Sequence, residues 1–369
     1  MERSKMIFCS ALLFLLTACT KPAGLSVVKE QELWHEGKKL ELFNLTNSRG
    51  MTVKLTNYAA TITYLSAPDR YGRSAPLLLG FDSLHHYLGR HPKFGATIGR
   101  YANRIRGAEF ELDGTRYPLE ANNGTHSLHG GSRGFHTQVF RVDTAYAGRD
   151  TATVRFSYLS HHREGGFPGN LAVTLTYHLT NDNELILDYT ATTDRPTVVN
   201  LTNHAYFNLG GCGETVLEHS YHLMADSVAE VDEAGLPTGR LLPVAGTRYN
   251  FTTPCTLFGR LTPQQPGYDH AYLLRPKQAL RPAAVVCEPR SGRVLRAYTT
   301  EPAMQFYVSQ SDMSRYSGHG GRPYGRYHSF CLEMQHFPDS PHHPNFPATV
   351  LRPGEVYRQT TLYHFDVEQ

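Results

Sequence analysis

Residues able to do acid–base and hydroxyl-binding chemistry are unevenly spread along this chain. They gather in Gly99-Arg100-Tyr101-Ala102-Asn103-Arg104-Ile105, His126-Ser127-Leu128-His129-Gly130-Gly131, Asn200-Leu201-Thr202-Asn203-His204-Ala205-Tyr206-Phe207-Asn208, Gly267-Tyr268-Asp269-His270 and Phe330-Cys331-Leu332-Glu333-Met334-Gln335, with Gln305 standing apart. In an extended register Val199, Leu201, Ala205, Phe207 and Leu209 share one face, while Asn200, Thr202, His204, Tyr206 and Asn208 share the other. The same division recurs twice: Met304, Phe306 and Val308 oppose Gln305, Tyr307 and Ser309, and Phe330, Leu332 and Met334 oppose Cys331, Glu333 and Gln335. One such strand describes a sheet wetted on one side; three together suggest polar faces lining a common groove. A groove of Asn, Gln, His, Tyr, Asp and Arg suits a sugar, whose hydroxyls each donate and accept hydrogen bonds and whose C–H faces stack on aromatic rings. Such a lining also discriminates, because a ligand without hydroxyls leaves its buried polar groups unpaired.

Other chemistries find less support. Twenty histidines raise the question of a metal, yet the obvious pairs, His126/His129, His161/His162 and His342/His343, build neither a His-Glu-x-x-His motif nor a Cys/His cluster at zinc spacing. Gly130-Gly131 and Gly210-Gly211 lack the spacing of a phosphate loop and read as turns. A formal net charge of +3 carries no nucleic-acid footprint. Neither a metal nor a nucleic-acid partner is therefore expected, and nothing points to an obligatory protein partner.

Taken in order, the segments resemble the aldose 1-epimerase family: GRYANRI (99–105), HSLHGG (126–131), NLTNHAYFNL (200–209), GYDHAY (267–272), MQFY (304–307), FCLEMQ (330–335) and LRPGE (351–355). The likeness extends over nearly the whole chain, and several ordered motifs are far more specific than any one. It implies an all-β fold, the large twisted antiparallel β-sandwich of galactose mutarotases, and a sugar-ring isomerisation without metal or other cofactor. It further implies that Glu333 is the general base, His204 the general acid, and Asn103, Arg104, His129, Asp269 and Gln305 the sugar-binding positions. His126 departs from the Asn common at the start of its motif.

The chemistry follows from the substrate. A cyclic aldose opens when its C1 hydroxyl loses a proton and its ring oxygen gains one as the C1–O5 bond breaks. A Glu333 carboxylate and a His204 imidazolium would perform the two transfers together, each positioned group contributing about 10²–10⁴-fold. Rotation about C1–C2 and closure on the other aldehyde face, with roles reversed, deliver the other anomer. The base is expected to have a raised pKa, and the acid, beside a carboxylate, to stay protonated. The family-typical substrates are free galactose and glucose. A disaccharide or another aldose is an alternative, as is a non-catalytic sugar-presenting lipoprotein, which Glu333 and His204 disfavour.

The elements that must position these groups read as short strands. The clearest is Asn170 to Thr180, where Leu171, Val173, Leu175, Tyr177 and Leu179 alternate with polar residues; the turn-forming Asn181-Asp182-Asn183 links it to Glu184–Thr192 as a hairpin. Further strands are expected at 52–58, 61–66, 151–159, 285–288, 294–299, 304–309 and 329–335, and one short helical turn at 83–88. With 32 Gly and 22 Pro between them, one antiparallel sandwich domain over residues 29–369 is the expected architecture.

The amino terminus has a different character. Arg3 and Lys5 precede the apolar run Met6 to Leu16, which ends in Leu16-Thr17-Ala18-Cys19. This resembles a bacterial lipoprotein signal and implies loss of residues 1–18, lipidation of Cys19, a tether over 19–28 and attachment to the cell envelope through lipid alone. The run is too short to span a bilayer comfortably. The remaining thiols, Cys212, Cys255, Cys287 and Cys331, are widely spaced and expected to be mostly free, and buried, although an oxidising compartment permits disulfides among them.

Overall fold

The computed structural model describes residues 24–262, 264, 267–275 and 279–368. Three antiparallel sheets dominate. An N-terminal five-stranded meander runs Ser26–His35, Lys38–Thr46, Thr52–Thr56, Thr61–Pro68 and Ser74–Pro76. The largest sheet has eight strands in the spatial order Arg141–Ala147, Thr151–Ser160, Leu171–Thr180, Glu184–Thr193, Tyr357–Val367, Arg293–Thr299, Arg281–Cys287 and Ser220–Leu223. A second five-stranded sheet orders Pro237–Pro243, Ala225–Val231, Asp269–Leu274, Ala303–Val308 and Phe330–Gln335.

Periodicity explains how these sheets meet. Leu171, Val173, Leu175, Tyr177 and Leu179 are almost fully buried, and across the expected hairpin Leu185, Leu187, Tyr189 and Ala191 join them in one continuous core. Leu45, Val53 and Leu55 of the meander and Met304, Phe306, Leu332 and Met334 of the second five-stranded sheet complete that core. The apolar halves of the alternations at 304–308 and 330–334 thus face the sandwich interior, which directs Gln305 and Glu333 to the opposite face. Truncating a leucine in such a core costs roughly 2–5 kcal/mol.

The expected strands are present with small shifts at their ends, and the short helix occupies Leu84–Tyr87, the Ser83 hydroxyl accepting from the His85 N–H. The first strand begins at Ser26, inside the segment read as a tether, while Cys19 and the signal-like run lie outside the described residues. The His204 segment differs from the extended strand expected over 199–209. Only Thr202–Asn203 pairs as a strand, with Thr97–Ile98, although the segment's inside–outside division survives and every residue from Val199 to Leu209 is buried. Its backbone bonds go to several partners in turn: Asn200 to Arg100 and Ala102, His204 to Gly95 and Ala96, Phe207 to Phe330. Its partner changes from one stretch to the next, so regular pairing stops after two residues.

Cys212, Cys255, Cys287 and Cys331 are free thiols; Cys212 and Cys331 are buried, Cys255 and Cys287 only partly so. Among the described residues, no helix is long and apolar enough to cross a membrane.

Candidate active site

Sheet register brings the first half of the site together. Gln305 lies directly opposite Glu333 on neighbouring strands, and Asp269 lies opposite Tyr307, two residues along on the same face. The Gln305 Nε2 group donates to Asp269 Oδ1 at 2.6 Å. The second half is assembled around Gly99–Ile105, whose flanks reach both histidine segments: Thr97–Ile98 pairs with Thr202–Asn203, and Arg104–Ile105 pairs with Ser127–Leu128.

Local backbone geometry then aims the side chains. Asn103 and His129 both adopt left-handed conformations, with φ of 63° and 55°. They hold each other there, for the His129 N–H donates to the Asn103 carbonyl at 3.0 Å and the Asn103 N–H donates to His129 Nδ1 at 3.1 Å. That second bond leaves the proton of a neutral His129 ring on Nε2. Gly130, at φ 79°, packs so closely on Gly99 that an added Cβ would lie 2.2 Å from the Gly99 carbonyl oxygen.

The contacts close into a circuit. His129 and His204 meet edge to face with ring centroids 5.3 Å apart, and His204 Nε2 stands 3.8 Å from Glu333 Oε2. Glu333 pairs with Gln305, Gln305 with Asp269, and Asp269 Oδ2 lies 3.6 Å from Arg104 Nη1. Arg104 in turn donates from its backbone N–H to Asn103 Oδ1 at 2.9 Å. All seven residues singled out in the sequence therefore form one contiguous cluster. His126 stays outside it, half-buried and accepting from the Gly107 N–H.

The centre of the cluster is buried and two of its acceptors are free. Glu333 is 2% exposed and His204 7%, and Glu333 Oε2 and Gln305 Oε1 have no hydrogen-bond partner among the described residues. A buried acceptor without a donor costs about 1–3 kcal/mol, so these two oxygens gain most from ligand hydroxyls.

Burial also sets the protonation states. It pushes Glu333 up to about 8, with Asp269 adding to the rise while Arg104 and Lys93 oppose it. It pushes His204 down to about 3, helped by Lys93, and His129 is lowered well below its ordinary range for the same reasons. The raised base agrees with expectation; the acid expected to remain protonated does not. In a site this desolvated the Glu333 carboxyl is itself neutral, so it offers no negative charge to hold an imidazolium on His204.

Several contributors escaped sequence reasoning. Tyr206 stacks on His204 at 4.7 Å with its ring within 5° of parallel, and Tyr307 meets both rings edge-on. Cys331 Sγ lies 3.6 Å from His204 Nδ1. The polar-face alternation contained Tyr206, Tyr307 and Cys331, but spacing alone gave them no role. His129, His204 and Glu333 also offer ligand-type atoms within 4.8 Å of one another, a grouping of the kind that can hold a metal ion. None of the histidine pairs adjacent in sequence forms it.

Similarity to known proteins agrees with this geometry. The family profile described as aldose 1-epimerase matches residues 41–364. The galactose mutarotase of Sus scrofa is 40% identical over 330 residues, covering 89% of this chain and 94% of its own. The aldose 1-epimerase of Escherichia coli (strain K12) is 37% identical over 341 residues, covering 90% and 97%. Among solved structures, a GalM/aldose epimerase homologue from C. elegans aligns with a TM-score of 0.82 at 31% identity over 88% of this chain and 98% of its own. Galactose 1-epimerase from Lactobacillus acidophilus NCFM aligns at 0.80 and 27% identity, covering 94% and 99%. With its profile match, its relatives and its galactose mutarotase-like β-sandwich, the chain belongs to the aldose 1-epimerase family.

Proposed function

We propose that this protein interconverts the α and β anomers of a free aldose of the galactose or glucose type, with Glu333 and His204 as the proton-transferring pair. The observation carrying this reading is the 3.8 Å separation of Glu333 Oε2 and His204 Nε2 across a buried, hydroxyl-reading cleft. At that spacing a hemiacetal lying against the pair can present its C1 hydroxyl to one group and its ring oxygen to the other, each within hydrogen-bond reach.

The protonation states fit the reaction in a specific way. Ring opening by a Glu333 carboxylate and a His204 imidazolium leaves a protonated Glu333 and a neutral His204 beside the open-chain aldehyde. This is the distribution that burial favours in the empty site. Both distributions carry one proton on the pair, so they interconvert by moving it from one group to the other. A bound sugar replaces lost hydration around Glu333 Oε2 with hydroxyl donors, which favours the carboxylate and readies the pair for opening. Arg104, Asn103, His129, Asp269 and Gln305 hold the remaining oxygens. Arg104 offers a planar donor fork, and the Asp269–Gln305 bond leaves Gln305 Oε1 free to accept.

The test is polarimetry or NMR on freshly dissolved α-D-galactose and α-D-glucose, with Glu333→Gln and His204→Asn as controls. Accelerated anomer exchange that both substitutions abolish is the expected result; sugar binding without acceleration would favour a non-catalytic sugar-presenting protein.

The same reading extends to the amino terminus. Arg3, Lys5, the apolar run and Leu16-Thr17-Ala18-Cys19 support lipidation at Cys19 and attachment to the cell envelope. Thr20 in place of Asp after the modified cysteine favours the outer membrane. Radioactive fatty acid should label the wild-type chain and not Cys19→Ala; equal labelling overturns the assignment.

A further inference from the structure

Cys331 and Glu333, two residues apart on one strand, reach the two nitrogens of the His204 ring. Alternate residues of a strand share a face, and here that face meets the imidazole: Glu333 Oε2 stands 3.8 Å from Nε2, and Cys331 Sγ stands 3.6 Å from Nδ1. The strand Phe330–Gln335 and the His204 segment are tied together at this point by their backbones. The Phe207 N–H donates to the Phe330 carbonyl at 2.7 Å, and the Phe330 N–H donates to that of Phe207 at 3.0 Å. Neighbouring rings hold the imidazole plane. Tyr206 stacks within 5° of parallel and is itself pinned by its hydroxyl, which donates to the Pro92 carbonyl at 3.0 Å. His129 and Tyr307 close in edge-on.

The reaction decides which nitrogen must keep a proton. Nε2 faces Glu333, so Nε2 gives a proton to the ring oxygen on opening and takes it back on closure. Nδ1 must then hold its own proton through the whole cycle, whether the imidazole is cationic or neutral. A buried N–H needs an acceptor, and among the described residues Cys331 Sγ is the side-chain partner of Nδ1. The carbonyl of His204 also favours a protonated ring, although it already accepts from the Gly95 N–H at 2.9 Å. Sulfur is a weak acceptor, and the thiol is uncharged: burial, with Glu333 and Asp269, holds it well above its ordinary range. It can therefore choose the tautomer without adding the negative charge by which a carboxylate in its place would trap the imidazolium.

We propose that Cys331 is a positioning residue for His204, its sulfur accepting from the Nδ1–H and so leaving the Nε2 lone pair of the neutral ring turned towards the hemiacetal. This inference rests on His204 being the acid of the pair. The opposite arrangement, with the S–H donating to Nδ1, would put the proton of a neutral His204 on Nε2 and leave no lone pair there to recover a proton from the sugar.

Nitrogen NMR of histidine-labelled protein tells a protonated ring nitrogen from a bare one, and the His204 signals are identified by their loss in His204→Asn. At neutral pH the wild-type ring should carry its proton on Nδ1. Cys331→Ala should mix the two tautomers and lower kcat for galactose by about 2–10-fold, the factor by which one neutral hydrogen bond shifts an equilibrium, with KM unchanged. Cys331→Ser, which keeps an acceptor in that place, should recover the Nδ1–H form and most of the lost kcat. A wild-type ring protonated on Nε2, an unmoved tautomer in Cys331→Ala, a loss that falls on KM alone, or a Cys331→Ser that behaves as Cys331→Ala would each overturn the proposal. Activity retained by His204→Asn would overturn it from the other side, by defeating the assignment of the acid whatever the tautomer shows.

Discussion

Replacing Glu333 by Gln should cost activity and add stability, and both effects can be sized from the site. The change keeps the side chain's shape and removes the proton acceptor, so kcat/KM should fall by about 10²–10⁴-fold, the contribution of one positioned acid–base group. Stability moves the other way. The folded pKa of Glu333 is raised from its ordinary 4.5 to about 8. Such a group contributes most to native stability below pH 4.5, and that contribution is lost as the pH climbs from 4.5 towards 8. At pH 7 the unfolded chain has a fully ionised, hydrated carboxylate while the folded one must stay protonated. The two and a half units between 4.5 and 7 then correspond to a penalty of about 3 kcal/mol, which the amide escapes. Urea unfolding of both proteins at pH 4 and pH 7 reads the difference: Glu333→Gln should match wild type at pH 4 and exceed it at pH 7. A variant no more stable at pH 7 than wild type, or stabilised equally at both pH values, would show that the buried carboxyl is not strained by ionisation.

Three further outcomes follow from the same geometry. The wild-type kcat/KM should stay level through the range in which the pair holds one proton, between about 3 and about 8, and fall with unit slope on the alkaline side as Glu333 gives up that proton; a profile that titrates near pH 6.5 would place the working proton on a solvated histidine instead. Gly130→Ala should abolish activity and lower the melting temperature, because its Cβ would meet the Gly99 carbonyl oxygen at 2.2 Å in a left-handed backbone and dislodge His129; circular dichroism and polarimetry check both. The buried His219 and the half-buried His91, both pushed down to about 4, and the half-buried His136, at about 3, bind protons above those values only on unfolding. Stability should therefore drop below pH 6.5 by about 1.4 kcal/mol per pH unit for each of them, as measured by unfolding midpoints.

Much of the site could be read from residue order because its strands are regular. Met304, Phe306 and Val308 against Gln305, and Phe330, Leu332 and Met334 against Glu333, announce which side chains leave the core, and two such strands paired in register set Gln305 opposite Glu333. The hairpin from Leu171 to Thr193 was equally plain, since its alternation runs unbroken through both strands. The His204 segment was less so: its division into faces was correct, but its backbone partners are scattered over four distant loops and strands, and no local pattern encodes that. The protonation of His204 could not be read at all. A histidine near a carboxylate in sequence logic is an ion pair; in a cleft that excludes water from both, each sheds its charge.

The strand Tyr357–Val367 occupies the middle of the eight-stranded sheet, between Glu184–Thr193 and Arg293–Thr299. The widest layer of the molecule therefore cannot be completed until residues 357–367 have been synthesised, although the N-terminal meander needs only residues 26–76. Pairings between such remote stretches are slow to form. A polypeptide whose largest sheet stays open that long can still be threaded through a translocation pore, which is the history that a lipid-bearing Cys19 would demand of it.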